Sequence, residues 1–540
     1  MEKRLFHGQK PTKWQLGIAL IGGILMGLTT APVSAWPLAW IALVPLWILV
    51  VNYERKQPKL FVFPLLWGIG YHGIALFWIT GIHPMDWLGV PWLQSLLITI
   101  FCWTFLSLWG ASLVIIWAIS SRVIFHFICN SELARRNSLL RILIGTALWC
   151  GLETFWSWGS LWWTSLSYTQ SPYNLPILHL GQISGPNTVT AAIVAVNAII
   201  AELVISHWSS VIGQEKKIFY SRIFANLIIA FAAIASLHII GFNLYKQPLN
   251  QSQENALKVG IIQGNIPNRI KFNSTGWYRA IEGYTTGYKT LADQGVQAVL
   301  IPETALPFVW TNPNQIPPSF YSAVLEKGVV AWVGGFGEKG RNFTNSLFTI
   351  TDTGKIISRY DKVKLVPLGE YIPFEEIIGR LIEKLSPLDA HLVHGEPNQV
   401  FDTPFGRAIV GICYDSAFSE LFRRQAADNG QFILSASNDA HYLPSMAAQH
   451  HAQDIMRAIE TDRWAVRATN TGYSAIIDPH GRTKWLSEIN TYQIHAETIY
   501  RQQSQTLYVR WGDWLTPLLL ILAVITTADE YYRQRLQNPG

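Results

Sequence analysis

The sequence predicts a multi-pass α-helical membrane bundle joined to a layered α/β domain. Half of its 540 residues are apolar and only 14% are charged, whereas about a quarter of the residues in soluble domains are charged. Long apolar stretches fill residues 16–240 and return at 514–527, while residues 259–477 contain short apolar runs. The first pattern is typical of helices that cross a bilayer, and the second of buried strands.

About eight segments are candidates for membrane-spanning helices, each of which needs roughly 20 mainly apolar residues. They are residues 16–30, 36–51, 60–79, 93–119, 139–155, 188–205, 223–240 and 514–527. The 24 Trp residues agree with this prediction, because indole rings favour the boundary between hydrocarbon and water.

Lys and Arg residues are concentrated before the first candidate span and in or next to every second loop after it. They are Lys3, Arg4, Lys10, Lys13, Arg55, Lys56, Lys59, Arg122, Arg135, Arg136, Arg141, Lys216, Lys217 and Arg222. Positively charged loops stay in the cytoplasm. Seven spans therefore leave the following polar region outside the cytoplasm, and an eighth returns a tail that contains Arg533 and Arg535.

Three domains follow from this arrangement. Residues 1–245 form a membrane domain of about seven helices, residues 246–510 an extracytoplasmic domain, and residues 511–540 a C-terminal helix with a cytoplasmic tail. The first span could instead be a signal peptide, since the Val-Ser-Ala sequence at 33–35 resembles a cleavage site. Cleavage there would leave the same final topology.

The polar region alternates between short apolar runs and helical patterns. The runs that predict buried strands are residues 259–263, 298–302, 329–334, 346–350, 408–412, 432–437 and 473–477. The clearest helices are predicted at 275–293 and 446–462. Such an alternation indicates a domain in which helices cover sheets.

Composition excludes two other classes of protein. The net charge of +6 is not gathered into one basic stripe with interleaved aromatic residues, so we expect no nucleic-acid partner. Four cysteines in 540 residues exclude a disulfide scaffold. Cys102 and Cys150 lie in apolar segments and Cys129 in a short loop, which leaves Cys413 as the one cysteine of the long polar region.

Three reactive residues of this region stand at or just beyond short apolar strands. Glu303 follows Leu-Ile-Pro, Cys413 follows Ile-Val-Gly-Ile, and Lys362 follows Arg-Tyr-Asp. A thiol needs a base or a nearby cation to become an effective nucleophile. Each residue alone is more often inert, as a small buried thiol or a surface charge. Together they predict nucleophilic catalysis by Cys413, with Glu303 as base and Lys362 stabilising the thiolate and then an oxyanion.

Six segments resemble those of the apolipoprotein N-acyltransferase family, the membrane branch of the nitrilase superfamily. Three match its catalytic motifs: Ile-Pro-Glu-Thr-Ala-Leu-Pro at 301–307, Arg-Tyr-Asp-Lys-Val-Lys-Leu-Val-Pro-Leu-Gly-Glu-Tyr-Ile-Pro at 359–373 and Gly-Ile-Cys-Tyr-Asp at 411–415. The others are residues 259–267, 437–440 and 467–472. The resemblance covers the whole chain, because the family also has a membrane bundle before the nitrilase domain and one helix after it.

The resemblance implies a nitrilase-like α-β-β-α sandwich and assigns roles to individual residues. Glu303 is implied as general base, Lys362 as oxyanion stabiliser and Cys413 as nucleophile, with Glu370 as a second carboxylate near the thiol. Lys364 is the competing lysine. The remaining candidates are supporting residues beside the nucleophile and residues of a substrate pocket. They are Tyr414 and Asp415 in the first group, and Phe272, Asn438 and His441 in the second.

The sequence departs from the family pattern at the predicted pocket. Family members often have Trp where Phe272 stands, Glu where Asp415 stands, and Trp-Phe-Gly where this chain has His441, Tyr442 and Leu443. Phe272 keeps an apolar ring and Asp415 keeps the charge. The loop at 441–445 is less conservative, so the shape of the pocket there is open. His441 is also a candidate for an extra base.

The reaction implied by the resemblance is a two-step acyl transfer at a bacterial plasma membrane. Cys413 takes an acyl chain from a phospholipid, and the free amine of an S-diacylglyceryl cysteine in an apolipoprotein then accepts it. We expect a monomer that needs no metal or other cofactor. A membrane-tethered amidase with the same three residues is one alternative. A transporter with an outer binding module is another, although the chain has no internal repeat and few charges within its spans.

Overall fold

A computed structural model describes residues 12–52, 61–128, 138–211, 216–371 and 392–537. Several residues used to predict topology lie outside these ranges, together with Cys129. They are Lys3, Arg4, Lys10, Arg55, Lys56, Lys59, Arg135 and Arg136. The chain divides into two compact units. One comprises residues 1–77, 101–246 and 513–540, and the other residues 78–100 and 247–512.

The first unit is a bundle of apolar helices. Its helices are Lys13–Gly27, Val44–Asn52, Val62–Ala75, Trp92–Ile128, Ser138–Trp158, Leu175–Leu178, Gly181–Ser184, Pro186–Val211, Lys216–Tyr245 and Leu515–Gln537. Among the described residues, five helices are long and apolar enough to cross a membrane, and three shorter apolar helices occupy the first three predicted spans. The predicted membrane bundle is confirmed.

Two glutamates buried inside this bundle accept several hydrogen bonds, and one of them also forms an ion pair. The Arg141 guanidinium donates to both carboxylate oxygens of Glu202, at 2.9 and 2.5 Å, and the Trp47 indole donates to the same carboxylate at 3.1 Å. Glu153 accepts hydrogen bonds from Thr190 at 2.9 Å and from Trp149 at 3.1 Å. A buried charge without such partners would be very costly in an apolar environment. These pairs therefore allow charged residues near the predicted span ends to be buried.

The second unit contains two six-stranded sheets. The strands are β1 (Ala256–Gln263), β2 (Ala298–Leu300), β3 (Val330–Lys339), β4 (Asn342–Ile350), β5 (Ile356–Asp361), β6 (Phe401–Thr403), β7 (Gly406–Ile412), β8 (Ile433–Ser437), β9 (Ala465–Thr469), β10 (Ala475–Ile477), β11 (Thr483–Leu486) and β12 (Gln493–Tyr500). Their orders are β12-β1-β2-β3-β4-β5 and β11-β10-β9-β8-β7-β6. In each sheet, three neighbouring strands are parallel and the outer pairs are antiparallel.

Helices cover the outer faces of the two sheets. Within the described residues of this unit, and in addition to the start of the Trp92–Ile128 helix, the helices with at least nine residues are Ser274–Asp293, Pro318–Lys327, Ser419–Ala427 and Pro444–Thr461. Tyr284 and Phe320 from the first two helices share a buried core with Val299 and Val333 of the first sheet. Between the sheets, the Trp332 ring packs against Phe432 at 5.7 Å. The predicted α-β-β-α sandwich is confirmed.

A glycine on β3 allows the loop after β2 to pass close to the sheet. A Cβ atom at Gly334 would collide with the Pro302 carbonyl oxygen and would lie 2.9 Å from the Thr304 nitrogen. Any side chain there would displace the loop that contains Glu303. The glycine therefore fixes the distance between this loop and the sheet.

Candidate active site

The three candidate catalytic residues stand at strand ends of both sheets. Glu303 follows β2, Lys362 directly follows β5, and Cys413 directly follows β7. β2 and β7 each belong to the parallel part of a sheet, where the carboxyl ends of neighbouring strands present their loops at one edge. All three side chains are buried, with exposed fractions of 5% for Glu303, 1% for Lys362 and 5% for Cys413.

Lys362 joins two carboxylates. Its ammonium nitrogen lies 2.9 Å from Glu303 Oε1 and 2.8 Å from Glu370 Oε2. The side-chain amide of Asn345, on β4, donates to the same two residues, at 2.7 Å to Glu303 and 2.9 Å to Glu370. The two carboxylates are thus held together by one cation and one neutral donor. The Lys364 ammonium instead lies 4.3 Å from the centre of the Phe418 ring.

The charges of these groups determine how the thiol must be activated. Burial raises the pKa of the Cys413 thiol well above its usual value, and the Glu303 carboxylate raises it further, against a lowering by Lys362. Burial also acts to raise the pKa of Glu303, but Lys362 outweighs it and holds that pKa below the usual value. Burial opposes the charge on Lys362, yet Glu303 and Glu370 raise its pKa. The resting site therefore contains a neutral thiol beside an ionised base.

Cys413 occupies a strained turn at the end of β7. Its φ angle is 49°, a left-handed conformation that is uncommon for residues with a side chain. Its carbonyl oxygen lies 2.8 Å from Nε2 of His450, and Nδ1 of His450 lies 3.1 Å from Asp439. Arg467 donates to Asp439 at 3.2 Å. This buried network restrains the backbone of the nucleophile.

Cys413, Asp439 and His450 also have the composition of a metal site, since their ligand atoms all lie within 4.8 Å of one another. A carbonyl oxygen can only accept a hydrogen bond, so Nε2 of His450 must carry a hydrogen. Its Nδ1 faces a carboxylate that Arg467 also contacts. The His450 ring is therefore committed to hydrogen bonds, and the cluster fits a positioning network better than a metal centre.

The Asp415 carboxylate stabilises the turn that contains Cys413. Its carboxylate accepts from the backbone nitrogens of Lys364 at 2.7 Å and Ile412 at 3.1 Å, and from the Tyr360 hydroxyl at 3.3 Å. Burial raises its pKa to about 6, against a lowering by Lys362. Tyr414 is buried with its ring against Phe418, at a centroid distance of 5.1 Å.

Of the three pocket candidates, His441 interacts electrostatically with Glu303. Phe272 is half-buried, and the Asn438 side chain accepts from Asn470 at 3.0 Å. The His441 ring stacks on Trp87 with a centroid distance of 5.2 Å. Burial lowers the pKa of His441 to about 4, and Lys271 lowers it further. A histidine with a pKa of about 4 is a weak proton acceptor at pH 7, which does not favour His441 as a base.

Segment 78–90 packs against the loop that departs from the family pattern. Tyr442 meets Trp78 edge to face at 4.9 Å, and a Cβ atom on Gly81 would lie only 2.5 Å from the Leu443 nitrogen. The departure from the family pattern at the pocket was located at residues 441–445 alone. Segment 78–90 adds the aromatic rings of Trp78 and Trp87 to this part of the molecule.

Several residues of the site were not predicted from the sequence. Asn345 lies inside a strand, and Lys271 directly precedes Phe272 without belonging to any catalytic motif. His450 gave a weak signal, because it precedes a second histidine. Adjacent residues of a helix point in different directions, and His451 indeed contacts Thr483 at 3.0 Å rather than the nucleophile.

The class and the family of this chain follow from its similarity to known proteins. The carbon-nitrogen hydrolase model matches residues 258–502, so the second unit is a carbon-nitrogen hydrolase domain of the nitrilase superfamily. The model of the apolipoprotein N-acyltransferase N-terminal domain matches residues 22–199. The chain is 63% identical to the apolipoprotein N-acyltransferase of Nostoc sp., covering 93% of this chain and 96% of the relative. It therefore belongs to the apolipoprotein N-acyltransferase family.

The chain is also similar to a second relative over nearly its whole length, and to a solved structure over about half of it. The apolipoprotein N-acyltransferase of Synechocystis sp. is 49% identical, with 93% of this chain and 98% of the relative covered. An amidase from Nesterenkonia sp. of known crystal structure shares 16% identity with a TM-score of 0.36, covering 51% of this chain and all of the amidase. Family membership identifies the chain as an acyltransferase and membrane protein, which excludes the transporter alternative.

Proposed function

We propose that this enzyme transfers an acyl chain from a phospholipid, through a thioester on Cys413, to the amino-terminal amine of an S-diacylglyceryl cysteine in apolipoproteins. The observation that carries the proposal is the buried cluster of Glu303, Lys362 and Cys413. It occurs in a chain whose described part includes five helices able to cross a membrane. Both substrates are anchored by acyl chains, so an enzyme of the membrane suits them.

The first step forms the thioester. Glu303 accepts the thiol proton while Cys413 Sγ attacks the carbonyl carbon of the phospholipid ester. Lys362 donates a hydrogen bond to the oxyanion that develops, an interaction worth on the order of 3 kcal/mol in comparable sites. The carbon-oxygen bond then breaks, and the leaving lysophospholipid oxygen takes the proton from Glu303. The acyl group remains on sulfur.

The second step transfers the acyl group to nitrogen. The neutral amine of the acceptor attacks the thioester carbonyl, and Glu303 takes a proton from that nitrogen. When the carbon-sulfur bond breaks, Glu303 returns the proton to Cys413. Covalent catalysis of this type gives ping-pong kinetics, because the lysophospholipid leaves before the acceptor reacts.

The proposed location is the bacterial plasma membrane, with residues 246–510 as an extracytoplasmic catalytic domain and the enzyme acting as a monomer. The pattern of basic residues between the apolar segments supports this orientation. No metal enters the proposed reaction, because Glu303 and Lys362 provide the base and the oxyanion donor.

A reaction with two acceptors separates this proposal from the amidase alternative. The purified enzyme is incubated with phosphatidylethanolamine and a lipopeptide that carries S-diacylglyceryl cysteine with either a free or an acetylated amine. We expect one lysophospholipid for each N-acylated peptide with the free amine, and no peptide product with the acetylated one. Release of free fatty acid as the main product with both acceptors would instead indicate a hydrolase.

A further inference from the structure

A second lysine is buried beside the proposed base. Lys271 ends the short helix Asn268–Lys271, and its exposed fraction is only 3%. Its ammonium nitrogen lies 2.7 Å from the Thr304 hydroxyl and 3.3 Å from the Glu303 carbonyl oxygen. Lys271 therefore binds both residues that the Glu303–Thr304 peptide bond joins. Thr304 has a φ angle of 44°, so this lysine bonds to a strained turn.

The local fold fixes this lysine in its buried position. The Asn273 backbone nitrogen donates to the Ile270 carbonyl at 3.0 Å, and the Asn273 side chain accepts from the Gly276 nitrogen at 3.1 Å. A Cβ atom on Gly276 would collide with the Ile270 carbonyl oxygen. The glycine therefore allows the next helix, Ser274–Asp293, to begin directly against the turn that contains Lys271.

The hydrogen-bond partners of Lys271 are neutral, so they do not balance its charge. Burial lowers the pKa of Lys271 to about 8, while Glu303, Cys413 and Glu370 oppose that change and Lys362 reinforces it. Both Lys362 and Lys271 lower the pKa of the Glu303 carboxyl. Lys271 is thus a second cation beside this carboxylate, in addition to Lys362.

We propose that Lys271 is a positioning residue that holds the turn after Glu303 and keeps this carboxylate ionised, ready to accept the proton of Cys413. The inference rests on the proposed function, because it assigns Glu303 as the base. The charged or titratable groups that interact with Lys271 are those of Glu303, Glu370, Lys362, Cys413 and His441. Among these groups, Lys362 is the other cation, and its ammonium already contacts two carboxylates.

The positive charge of Lys271 determines the direction in which it changes the pKa values of Glu303 and Cys413. A nearby cation favours the ionised form of an acid, and an opposite charge within about 4–6 Å changes a pKa by roughly one to three units. Below about pH 8, where Lys271 is charged, loss of this charge therefore lowers the fraction of the thiol and carboxylate pair that has lost its proton. Loss of the hydrogen bond to Thr304 alone leaves the charge in place and should not have this effect.

The test measures the pH dependence of Cys413 in four full-length variants in detergent: Lys271→Met, Lys271→Gln, Lys271→Arg and Thr304→Val. Alkylation of Cys413 by iodoacetamide is followed by peptide mass spectrometry from pH 5 to 10, and acylation by phosphatidylethanolamine over the same range. We expect alkylation in the Met and Gln variants to be about tenfold or more slower at about pH 6–7, and to approach the wild-type rate above about pH 9, where Lys271 itself is neutral. Acylation should show the same pH dependence, while the Arg and Val variants are alkylated at the wild-type rate at about pH 6–7.

Two results would overturn the inference. One is an unchanged rate of Cys413 alkylation at about pH 6–7 in both neutral variants. The other is an equal loss of rate at every pH, which would show a purely structural role for Lys271. If the wild-type enzyme is alkylated at Cys413 but takes no acyl group from the phospholipid, the proposed function fails while the alkylation rates still decide the role of Lys271.

Discussion

The thiol of Cys413 depends on Glu303 for every proton transfer in the proposed reaction. Burial raises the pKa of the thiol, so the resting nucleophile is neutral and its proton must leave during attack. Lys362 lowers the same pKa, as expected of a residue that stabilises the thiolate, but burial and Glu303 outweigh it. Lys362 is also engaged by two carboxylates, and an ammonium with three N–H groups retains one for an oxyanion.

Asn345→Ala tests the neutral donor that links the two carboxylates. Hydrogen bonds to charged groups contribute about 1.5–3 kcal/mol, so we expect the rate of Cys413 acylation to fall by about ten- to a hundredfold. Because this hydrogen bond also lowers the pKa of Glu303, its loss should move the acid limb of the pH profile upwards. Asn342→Ala, at the exposed start of the same strand, is the matched control. Equal rates in the two variants would contradict this role for Asn345.

The sequence predicted reactive residues only where they stood next to a strand end or in a recognisable motif. Glu303, Lys362 and Cys413 were found in this way. Asn345 and Lys271 act through partners that are 42 and 32 positions away in the chain. Such long-range hydrogen bonds leave no local pattern, so neither residue could be predicted from its neighbours in sequence.

At the scale of whole elements, the helix Pro444–Thr461 connects the nucleophile turn to the second sheet. His450 contacts the Cys413 carbonyl, and Asp454 of the same helix forms an ion pair with Arg467 of β9 at 2.5 Å. A left-handed backbone at a residue other than glycine costs on the order of 1–3 kcal/mol, and it persists where surrounding contacts hold it. The helix provides such contacts for Cys413.

His450→Ala and His451→Ala form a matched pair on this helix. Both histidines are buried, but only His450 contacts the nucleophile turn. We expect His450→Ala to slow acylation of Cys413 by tenfold or more, and His451→Ala by much less. Rates are compared at equal folded fractions, determined from thermal unfolding. A loss in His451→Ala as large as that in His450→Ala would show that the effect is one of helix stability.

The strands predicted from the sequence are those that contain a continuous run of buried positions. Buried positions fill β2, β8 and β10 completely. The missed strands include β5, β6, β11 and β12, which lie at sheet edges and contain exposed or half-buried positions. β9 was missed for another reason. It is fully buried but contains Arg467, whose charge is balanced by Asp439 and Asp454 from outside the strand.

At the scale of the whole molecule, the eight apolar segments were predictable because membrane helices need long apolar stretches. The orientation of the chain stays a prediction, and exposed cysteines test it. Thr353→Cys lies in an exposed turn after β4, and Leu536→Cys lies near the end of the last helix with an exposed fraction of 81%. Wild-type cells give the background from native cysteines.

We expect a membrane-impermeant maleimide to label Thr353→Cys in spheroplasts with intact plasma membranes, and Leu536→Cys only after permeabilisation. The reason is that the basic loops place these two positions on opposite sides of the membrane. Labelling of Leu536→Cys alone before permeabilisation would reverse the proposed orientation.

Detection of the acyl-enzyme on Cys413 is the most direct test of acyl transfer through a thioester. The purified protein is incubated with phosphatidylethanolamine without acceptor, and its peptides are analysed by mass spectrometry before and after hydroxylamine, which cleaves thioesters. We expect one acyl group on Cys413 that hydroxylamine removes, and no such adduct in Cys413→Ala or Glu303→Gln. An unmodified Cys413 in the wild-type protein, or the same adduct in Glu303→Gln at an equal rate, would contradict it.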